Sequence, residues 1–590
     1  MIFFDFEVYK YDWLVVAIDP VKRKEYVIVN STSELKSLYN QYRNDIWVGY
    51  NCRGYDQYIL KGLLLGFNPK TINDWIIVKG RKGWEYSSLF NKIPLILYDI
   101  MPNPPVSLKT LEGFMGKNIH ETSVPFDIDR KLNSQELSET IGYCRDDVMN
   151  TLDVFIKRKN EFDSQMQLVK TFDLPLHYLS KTQAQLAATI LGAKKKRFKD
   201  EWEIRLPNTL QLGRYKAVGD WFLDKGNHCY DCKLDIEICG LTHTIAWGGA
   251  HAGKKQYVYK CKPHEVILDI DVDQLYPTLM IKYGLLSRAV EEPERFSNIL
   301  KTSLQLKREK KKKEREPYKR ICNITYGAEG DKFNPMYDPL HRNLVCVFGQ
   351  VLIIDLLDKI EDLVDLLQTN TDGIFVKLNR DKVPELKRRI KEWEDRTGLS
   401  MSYDEFNAMY AKDVNNYVAV RPDGSYHSKG AYAKELSDLD YDLPIVNEAF
   451  KNYLLDGIAV EDTVYGCKEF RKFQKIVKLS NKYKWVQHEQ GAFQDGIGRG
   501  GKIHYAYKFN VKYDNKAYRV FASKDVNDGR LLKCDGVRNP AKFGNTPDHC
   551  FIDSGDIIGK PIPNNLDKEY YVELVKKRLE DFGVKVSERY

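Results

Sequence analysis

The chain of 590 residues is long enough for three or four compact units, and 43% apolar with 29% charged residues is the composition of a globular protein. No apolar run approaches the roughly eighteen residues of a membrane span, and Met1 leads straight into a strand-like stretch, so no secretory signal is expected. Eleven scattered cysteines suit reduced thiols, and we therefore expect a cytoplasmic protein without membrane contact.

The amino-terminal region alternates strand-like runs with helical stretches, which is an α/β pattern. The runs are MIFFDFEVY, WLVVAID, KEYVIVN and DIWVGYN. A helix is predicted from about Leu137 to Lys157, and a mainly helical stretch follows to about Gly226. The first ~160 residues are expected to form one α/β domain, and the helical stretch after them is expected to be a connector.

The middle of the chain is predicted to be rich in strands from about Ile245 to Tyr432. A basic helical segment over 297–320 interrupts it, and strands are expected to resume near Leu344. The carboxy-terminal region begins helical, passes through the strands KIHYAYKFNVKY and KAYRVFAS, and closes with a helix near 570–582. Basic residues between Lys468 and Lys484 recur at helical spacing, which predicts a helix with one basic face, suited to a phosphate backbone or simply to solvent.

Two acids mark the first strand. Asp5 and Glu7 are two residues apart in MIFFDFEVY, so a strand places both carboxylates on one face. Neighbouring carboxylates repel each other unless a cation lies between them, which indicates a metal site or a shifted pKa.

Two further segments complete a known signature. NCRGYD contains Asn51 and Asp56 after another strand, and YCRDD puts Tyr143 and Asp147 on one helix face. With the pair in the first strand, these segments resemble the tyrosine-bearing DEDD exonucleases, whose fold is RNase H-like. The resemblance implies that two divalent ions are bound by Asp5, Glu7, Asp56 and Asp147, that Tyr143 orients the attacking water and that Asn51 contacts a single-stranded 3′ end.

Three segments farther along resemble the motifs of family B DNA polymerases. ILDIDVDQLYP is similar to motif A, with Asp271 as a metal ligand and Tyr276 where that family excludes a ribose 2′-hydroxyl; Gln274 replaces the usual serine. TNTDGIFVKL is similar to motif C, a strand–turn–strand hairpin in which Asp372 is the second metal ligand. Asn370 replaces the first acid of that motif, and Gly373 replaces its serine.

The basic helical segment carries the third motif. KRICNITYG resembles motif B, in which Lys319 grips the incoming triphosphate while Asn323 and Tyr326 line the nascent base pair. Arg315 lies one helical turn before Lys319, and Lys307 lies two further turns back, so a finger helix would offer its cations to three phosphates. Weaker matches are AWGGAHAG and KDVNNY, where Lys412 would hold the primer terminus.

Asn370 leaves a two-metal site short of charge, because an amide oxygen is a weaker ligand than a carboxylate. Asp269 and Asp273 flank Asp271 at a spacing of two and would share its face on a continuing strand. We hypothesise that one of them restores some of the charge, with Asp273 favoured because it is nearer the turn. The alternative is that both are solvated or salt-bridged.

One cysteine cluster stays ambiguous. Cys229, Cys232, Cys239 and His243 form CxxC-x6-CxxxH, which zinc accepts, but a single CxxC pair with irregular partners is also compatible with reduced thiols in a β-rich connector.

The resemblance implies a multidomain α/β and α+β protein in which an exonuclease precedes a right-hand polymerase. The expected domains are the exonuclease (1–165), a helical connector (166–244), an amino-terminal palm segment (245–296), a fingers hairpin (297–327), a carboxy-terminal palm segment (328–435), and a thumb with the carboxy-terminal region (436–590). The expected function is DNA synthesis from dNTPs with 3′→5′ proofreading by a monomer.

Each active site would use two Mg²⁺ or Mn²⁺ ions and act on primer–template DNA. The economy of the chain is similar to that of a bacteriophage replicase in a host cytoplasm, with replisome proteins as possible partners. Two alternatives remain: a DNA-binding 3′→5′ editing nuclease with a decayed polymerase site, and a structural nucleic-acid-binding protein.

Overall fold

The computed structural model describes residues 1–119, 121–430, 432–497 and 503–586, and it divides into two compact units. Unit 1 comprises Met1–Ser180 and Glu435–Val575, and unit 2 comprises Lys181–Lys434 and the chain from Lys576 onward. In these described ranges, no helix is both long enough and apolar enough to cross a membrane.

A five-stranded sheet forms the centre of the amino-terminal region of unit 1. Its strands are β1 (Ile2–Val8), β2 (Trp13–Asp19), β3 (Lys24–Val29), β4 (Ile46–Gly49) and β5 (Ile96–Asp99). They lie in the order β3-β2-β1-β4-β5; β1 pairs antiparallel with β2 and parallel with β4. The central β1 is buried along most of its length, so its acids Asp5 and Glu7 lie in the interior of the sheet region.

Helices cover this sheet. They are α1 (Thr32–Gln41), α2 (Asp56–Leu65), α3 (Pro69–Asn73), α4 (Leu108–Met115), α5 (Ser134–Lys157) and α6 (Lys159–Thr171). The predicted helix over 137–157 is confirmed as α5, whose start is fixed by a capping box between Asn133 and Glu136. Cys144, Val148 and Phe155 on α5 join β1 and β2 in one core.

In its described residues, the carboxy-terminal region of unit 1 contains three α-helices and two small sheets. The helices are α14 (Pro444–Asp456), α15 (Val460–Gly466) and α16 (Lys568–Asp581), the last of which runs into unit 2. The strands are β17 (Lys475–Lys478), β18 (Trp485–Ile497), β19 (Ile503–Tyr513), β20 (Ala517–Ala522), β21 (Asp528–Cys534), β22 (Ala541–Lys542) and β23 (Cys550–Ile552). β17 and β23 flank β20, and β18 lies between β19 and β21. Lys502, the first residue of the predicted strand KIHYAYKFNVKY, lies outside the described residues.

A buried arginine ties this carboxy-terminal region to α4. Arg519 is fully buried, and its guanidinium donates to the carbonyl oxygens of Gly113 (3.1 Å) and Lys117 (2.7 Å). Arg471 also donates to the carbonyl of Phe114 at 2.7 Å. A buried cation must have all its donors paired, so these contacts explain why residues 435–575 form one unit with the first 180 residues rather than a separate thumb-like unit.

Unit 2 is built on two sheets. Its strands are β6 (Lys233–Ile238), β7 (Leu241–Ala246), β8 (Gly249–Gly253), β9 (Tyr257–Lys260), β10 (Glu265–Val272), β11 (Asp365–Thr369), β12 (Gly373–Asn379), β13 (Met401–Phe406), β14 (Ala408–Asp413), β15 (Asn416–Val420) and β16 (Tyr426–Lys429). Seven strands follow the order β13-β10-β12-β11-β8-β7-β6, and four follow the order β16-β15-β14-β9. β10 lies between β12 and β13 and is antiparallel to both.

Seven further helices belong to unit 2. They are α7 (Gln183–Ile190), α8 (Lys216–Leu223), α9 (Leu275–Lys282), α10 (Pro293–Arg308), α11 (Lys312–Glu329), α12 (Pro339–Ile360) and α13 (Val383–Thr397). α10 and α11 pack against each other as a helical hairpin. The predicted connector is not purely helical, because β6 and β7 begin before its expected end.

Two predicted elements are wrong. The strand expected near Leu344 belongs to α12, which is buried on all sides, and an apolar run of this kind does not distinguish a buried strand from a buried helix. The basic helix expected over 468–484 is a 3₁₀ turn at Phe470–Phe473 followed by β17. Three cations of this segment form ion pairs with acids of unit 1: Arg471 pairs with Asp438, Lys472 with Glu448 and Lys475 with Asp442.

Candidate functional site

Unit 1 gathers four acids from three elements. Asp5 and Glu7 lie on β1, Asp56 is the first residue of α2 and Asp147 lies on α5. The negative charges of Asp56, Glu7 and Asp147 each raise the pKa of Asp5, so the carboxylates are electrostatic neighbours. These four residues are called the first acid cluster.

The carboxylates of the first acid cluster repel one another when they are ionised. Burial and then the neighbouring acids raise the pKa values of Asp5 and Glu7 well above their ordinary range, and burial raises that of Asp56 to about 7. Ligand atoms of Asp5, Glu7 and Cys144 lie within 4.8 Å of one another. Buried carboxylate oxygens of this density fit hard divalent cations such as Mg²⁺ or Mn²⁺.

Two hydrogen bonds fix the geometry of this cluster. The backbone N–H of Phe6 on β1 donates to Asp56 at 3.3 Å, so the start of α2 is tied to the central strand. The thiol of Cys144 donates to the backbone carbonyl of Asp5 at 3.4 Å, which ties α5 to the same strand. No sequence pattern marks Cys144 beyond its position beside Tyr143.

A lysine that sequence reasoning missed completes the cluster. Lys109, near the start of α4, contacts Asp147 at 2.5 Å and Glu112 at 3.3 Å, and its ammonium lies 4.5 Å from the ring centre of Tyr143. Tyr143 also hydrogen-bonds Asp147, and burial raises the pKa of its hydroxyl, which keeps it protonated. The structure therefore brings the predicted pair Tyr143 and Asp147 together with an unpredicted cation.

Glu112 is a second residue that no sequence motif marks. It is fully buried, Asn150 donates to it at 2.9 Å, and burial raises its pKa to about 7. One of its carboxylate oxygens has no hydrogen-bond partner among the described residues. Glu112, Lys109 and Tyr143 line a cleft of about 310 Å³ that opens beside the first acid cluster.

Asn51 lies on a loop next to the cluster rather than within it. It is exposed and adopts a left-handed backbone conformation with φ +57°. The backbone N–H groups of Asn51 and Arg53 donate to the carboxylate of Asp99 at 3.0 and 2.9 Å. Asp99 at the end of β5 thus holds the loop that leads into Asp56.

Unit 2 gathers a second set of acids. Asp269 and Asp271 lie on β10, and Asp372 is in the turn between β11 and β12. The hairpin predicted for motif C is confirmed, and the N–H of Val272 donates to the Asp372 carbonyl at 2.8 Å, so the turn lies beside the end of β10. Asp269, Asp271 and Asp372 are called the second acid cluster.

The second acid cluster is also electrostatically strained. Burial, followed by Asp372, raises the pKa of Asp271 to about 6; burial, followed by Asp271, raises that of Asp269 to about 8. The amide oxygen of Asn370 is buried and unpartnered among the described residues. Carboxylates with an orphaned amide oxygen are a donor set that fits divalent cations.

The structure changes the answer to which acid can restore the charge missing at Asn370. β10 ends at Val272, so Asp273 does not continue the face of Asp271, and its carboxylate forms an ion pair with Lys307. Asp269 remains in the sheet, directly opposite Asp404 on β13. Asp404, which sequence reasoning missed, also raises the pKa of Asp271. Within the sheet, Asp269 and Asp404 are therefore the acids that accompany Asp271 and Asp372. Asp273, beyond the end of β10, also raises the pKa of Asp271, but less than Asp404 does.

Gly373 has a steric reason to replace serine. It is paired with Asp271 across β10 and β12. A Cβ atom added at Gly373 would lie 1.7 Å from the Oδ1 atom of Asp271 and 3.0 Å from the carbonyl oxygen of Ile270. The position of the Asp271 carboxylate therefore depends on the missing side chain.

Two tyrosines from separate motifs touch. Tyr276 on α9 and Tyr326 on α11 have ring centres 4.2 Å apart. The guanidinium of Arg342 on α12 lies 5.8 Å from the ring centre of Tyr326. Residues that are 50 positions apart in the sequence thus form one aromatic surface near the second acid cluster.

Gln274, the departure from motif A, links this surface to the helical hairpin. Its backbone is left-handed with φ +50°, and its side-chain oxygen accepts from the hydroxyl of Ser303 on α10 at 3.4 Å. Arg315 on α11 donates to the same hydroxyl at 3.4 Å. Ser303 therefore bridges the predicted motif A turn and the predicted motif B helix.

The basic segment forms a helical hairpin, as expected for 297–327, but its cations are divided between the two helices. Lys307 is on α10 and pairs with Asp273, whereas Arg315 and Lys319 are on α11, so the expected row of three cations on one helix is wrong. Lys319 and Asn323 are exposed and line an open cleft of about 350 Å³. Lys319 has no carboxylate partner among the described residues.

Lys412 and Tyr417 have different surroundings. The ammonium of Lys412 pairs with Asp581 at 2.9 Å and lies 5.1 Å from the ring of Tyr432. Tyr417 is buried, and the charges of Asp269 and Asp271 contribute to raising its pKa. Of the residues in KDVNNY, Tyr417 is therefore the one that lies beside the second acid cluster.

The cysteine cluster does not form a four-ligand site. Cys229 and Cys232 form a disulfide, so the expectation of reduced thiols is wrong for this pair. The thiol of Cys239 contacts the carbonyl of Leu357, and His243 shares a hydrogen bond of 2.9 Å with Thr369. Tertiary contacts thus occupy the two residues that would have completed a zinc site.

No protein-family model matches the chain, and a comparison with curated proteins finds no match either.

Proposed function

We propose that the protein is a template-directed DNA polymerase, of the kind its motifs resemble, with a 3′→5′ exonuclease for proofreading. The observation that carries the proposal is the contact between Tyr276 and Tyr326. The two residues come from segments that resemble motif A and motif B, and their contact near Asp372 supports one nucleotide site built from both segments.

The residues of unit 2 would divide the work of nucleotide addition. The primer 3′-hydroxyl attacks the α-phosphate of a dNTP, and pyrophosphate leaves. Asp271 and Asp372 would hold two divalent cations, which when bound offset the negative charge that develops on the phosphates. Lys319 is exposed and unpaired among the described residues, so its ammonium is available to a triphosphate. Tyr276 would press against the sugar and reject a 2′-hydroxyl.

The residues of unit 1 would divide the work of proofreading. The first acid cluster would hold the cations that proofreading needs, and the protonated hydroxyl of Tyr143 would orient the attacking water. Lys109 adds a positive charge beside Asp147, where it holds that carboxylate and can face a phosphate. Asn51, on the exposed loop before Asp56, would contact the 3′-terminal nucleotide.

A labelled primer–template assay tests the proposal. With Mg²⁺ alone the primer should shorten, and with dNTPs it should lengthen. Asp372→Asn should abolish extension and leave shortening, while Asp5→Ala combined with Glu7→Ala should abolish shortening and leave extension nearly intact. Asp146→Ala, an exposed acid on α5, is the matched control for the second variant.

The same assay decides against the alternative of an editing nuclease with a decayed polymerase site. In that case shortening would occur and extension would be absent at every Mg²⁺ concentration. Equal loss of both activities in the Asp5→Ala, Glu7→Ala protein would contradict the assignment of the first acid cluster.

A further inference from the structure

A short surface segment of unit 1 combines exposed apolar side chains with cations that the proposed chemistry does not use. Ile77 is 64% exposed, Val78 73% and Trp84 65%, although residues of this type are usually buried. Between 75 and 92 there are four basic residues and one acid: Lys79, Arg81, Lys82, Lys92 and Glu85. Residues 75–92 are called the tryptophan loop.

Hydrogen bonds and cation–ring contacts fix the conformation of the tryptophan loop. The N–H of Arg81 donates to the Trp75 carbonyl, and the indole of Trp75 donates to the Lys82 carbonyl, both at 3.1 Å. The cationic groups of Lys79 and Arg81 lie 5.7 and 5.9 Å from the ring centre of Trp75. These contacts hold the two cations over the ring of Trp75.

The loop is fastened to the helix that supplies an acid of the first cluster. Gly83 lies against the ring of Tyr58 on α2, where an added Cβ would come within 2.1 Å. The hydroxyl of Tyr55, the residue before Asp56, donates to Asn73 at 2.8 Å just before the loop. The loop and Asp56 therefore share one rigid support.

We propose that the tryptophan loop binds single-stranded nucleic acid, with Trp84 stacking on a base and Lys79, Arg81 and Lys82 contacting phosphates. None of these three cations has a carboxylate partner among the described residues, so their charge is complementary to a polyanion. Interleaved aromatic and basic side chains suit unpaired bases, because duplex bases hide the faces on which an indole stacks. An apolar protein partner would not need three cations without carboxylate partners in the same segment as Trp84.

The inference rests on the proposed function for its choice of ligand, because a 3′ strand that reaches Asp56 is single-stranded. Its test does not need either reaction. Binding is measured in EDTA with the Asp5→Ala, Glu7→Ala protein, so the binding result does not depend on catalysis. If the parent protein neither extended nor shortened a primer, the proposed function would fail and the binding result for the loop would still stand.

Photocrosslinking provides the direct readout. An oligothymidylate that contains 5-bromodeoxyuridine is irradiated with the protein, and crosslinked peptides are mapped by mass spectrometry. We expect a crosslink within 75–92 that Trp84→Ala removes and that Val21→Ala, a change at another exposed apolar residue of unit 1, leaves in place. Crosslinks confined to other segments would overturn the proposal.

Affinity separates stacking from charge. Trp84→Ala should weaken binding of oligothymidylate by about fivefold or more, and it should not weaken binding of an abasic oligomer of the same length. Arg81→Glu should weaken the binding of both oligomers and lower the slope of log Kd against log salt by roughly 0.7 or more. Lys36→Glu on α1 should have neither effect.

Anionic lipid vesicles test whether the tryptophan loop binds a membrane surface instead of nucleic acid. Vesicle binding that depends on Trp84 and Arg81, with oligonucleotide binding unchanged by both variants, would make the loop a membrane contact and overturn the proposal. An equal loss of affinity of Trp84→Ala for the abasic and the thymine oligomer would also overturn it, because stacking on a base would then contribute nothing.

Discussion

At the scale of single residues, the second acid cluster is unusual because Asn370 contributes an amide where a carboxylate is expected. Its oxygen is buried and has no partner among the described residues, while Asp269 stands on the same strand as Asp271 with a pKa raised to about 8 by burial and by neighbouring acids. A carboxyl group with a raised pKa can release its proton when a cation binds in the proton's place.

The two candidate compensating acids can be told apart by titrating extension against Mg²⁺. Asp269→Asn should need several times more Mg²⁺ than the parent, because a carboxylate near Asp271 is lost. Asp273→Asn should need about the same Mg²⁺, since its charge is already paired with Lys307. Asn370→Asp should need less. A larger shift for Asp273→Asn than for Asp269→Asn would restore the hypothesis drawn from the sequence.

Gly373 is the second residue whose role can be tested alone. Gly373→Ala should displace the Asp271 carboxylate and slow extension by about tenfold, equivalent to ~1.4 kcal/mol of transition-state stabilisation. The measurement is the single-nucleotide incorporation rate. Gly466→Ala, where an added Cβ meets no atom within 4 Å, is the control and should be neutral. A fully active Gly373→Ala protein would mean that Asp271 rotates freely.

At the scale of elements, the α10–α11 hairpin determines which cations are available. Lys307 is held by Asp273 at the base of the hairpin, and Arg315 is directed to Ser303, which also meets Gln274. Lys319 on α11 is the exposed cation of the predicted motif B. The hairpin therefore separates cations that tie elements together from exposed cations, such as Lys319, that can meet a ligand.

Lys319→Ala should raise the KM for dNTP and slow incorporation by about tenfold or more, because a charge-assisted contact to phosphate is lost. Affinity for primer–template should hardly change. Lys312→Ala, at the exposed start of α11, is the matched control. A Lys319→Ala protein that binds DNA poorly and uses dNTP normally would make α11 a DNA contact instead.

At the scale of the whole molecule, the acid clusters couple stability to pH and to metal. The pKa of Asp56 is about 7 and that of Asp269 about 8, both raised by burial above their unfolded value near 3.8. A folded state that holds protons more tightly than the unfolded chain is most stable below the unfolded pKa and loses that stability as pH rises through the folded pKa. Without metal, stability should therefore fall between about pH 4 and pH 8.

Divalent cations should reverse this trend. In EDTA, the melting temperature should decrease from pH 6 to pH 8. Millimolar Mn²⁺ or Mg²⁺ in place of EDTA should raise the melting temperature, and the increase should be larger at pH 8 than at pH 6. The increase should be roughly 2–4 °C per kcal/mol of binding free energy. The measurement is a thermal melt at several pH values. The Asp5→Ala, Glu7→Ala protein should show a smaller metal effect. A metal-induced shift that does not depend on pH would refute the idea that cations displace protons from these acids.

The sequence alone predicted several local elements and six of the acids that the structure brings together in the two acid clusters. Asp5 and Glu7 follow from a period of two on a strand, Tyr143 and Asp147 from a spacing of four on a helix, and the Asp372 turn from a hairpin pattern; these are short-range rules that neighbours in the chain satisfy by themselves. Composition and residue type also predicted which side chains could hold cations.

Only the tertiary structure decided what lies beside those residues. Lys109, Glu112 and Asp404 reach the acids from elements far away in the chain, and no local pattern marks them. The basic run over 468–484 became a 3₁₀ turn followed by β17, because β20 pairs with β17 and acids of the 438–448 segment form ion pairs with its cations. The apolar run near Leu344 belongs to the buried helix α12, and its pattern alone does not distinguish a buried helix from a buried strand. Side-chain partners, burial and register are set by long-range packing, and the sequence specifies them only through the complete fold.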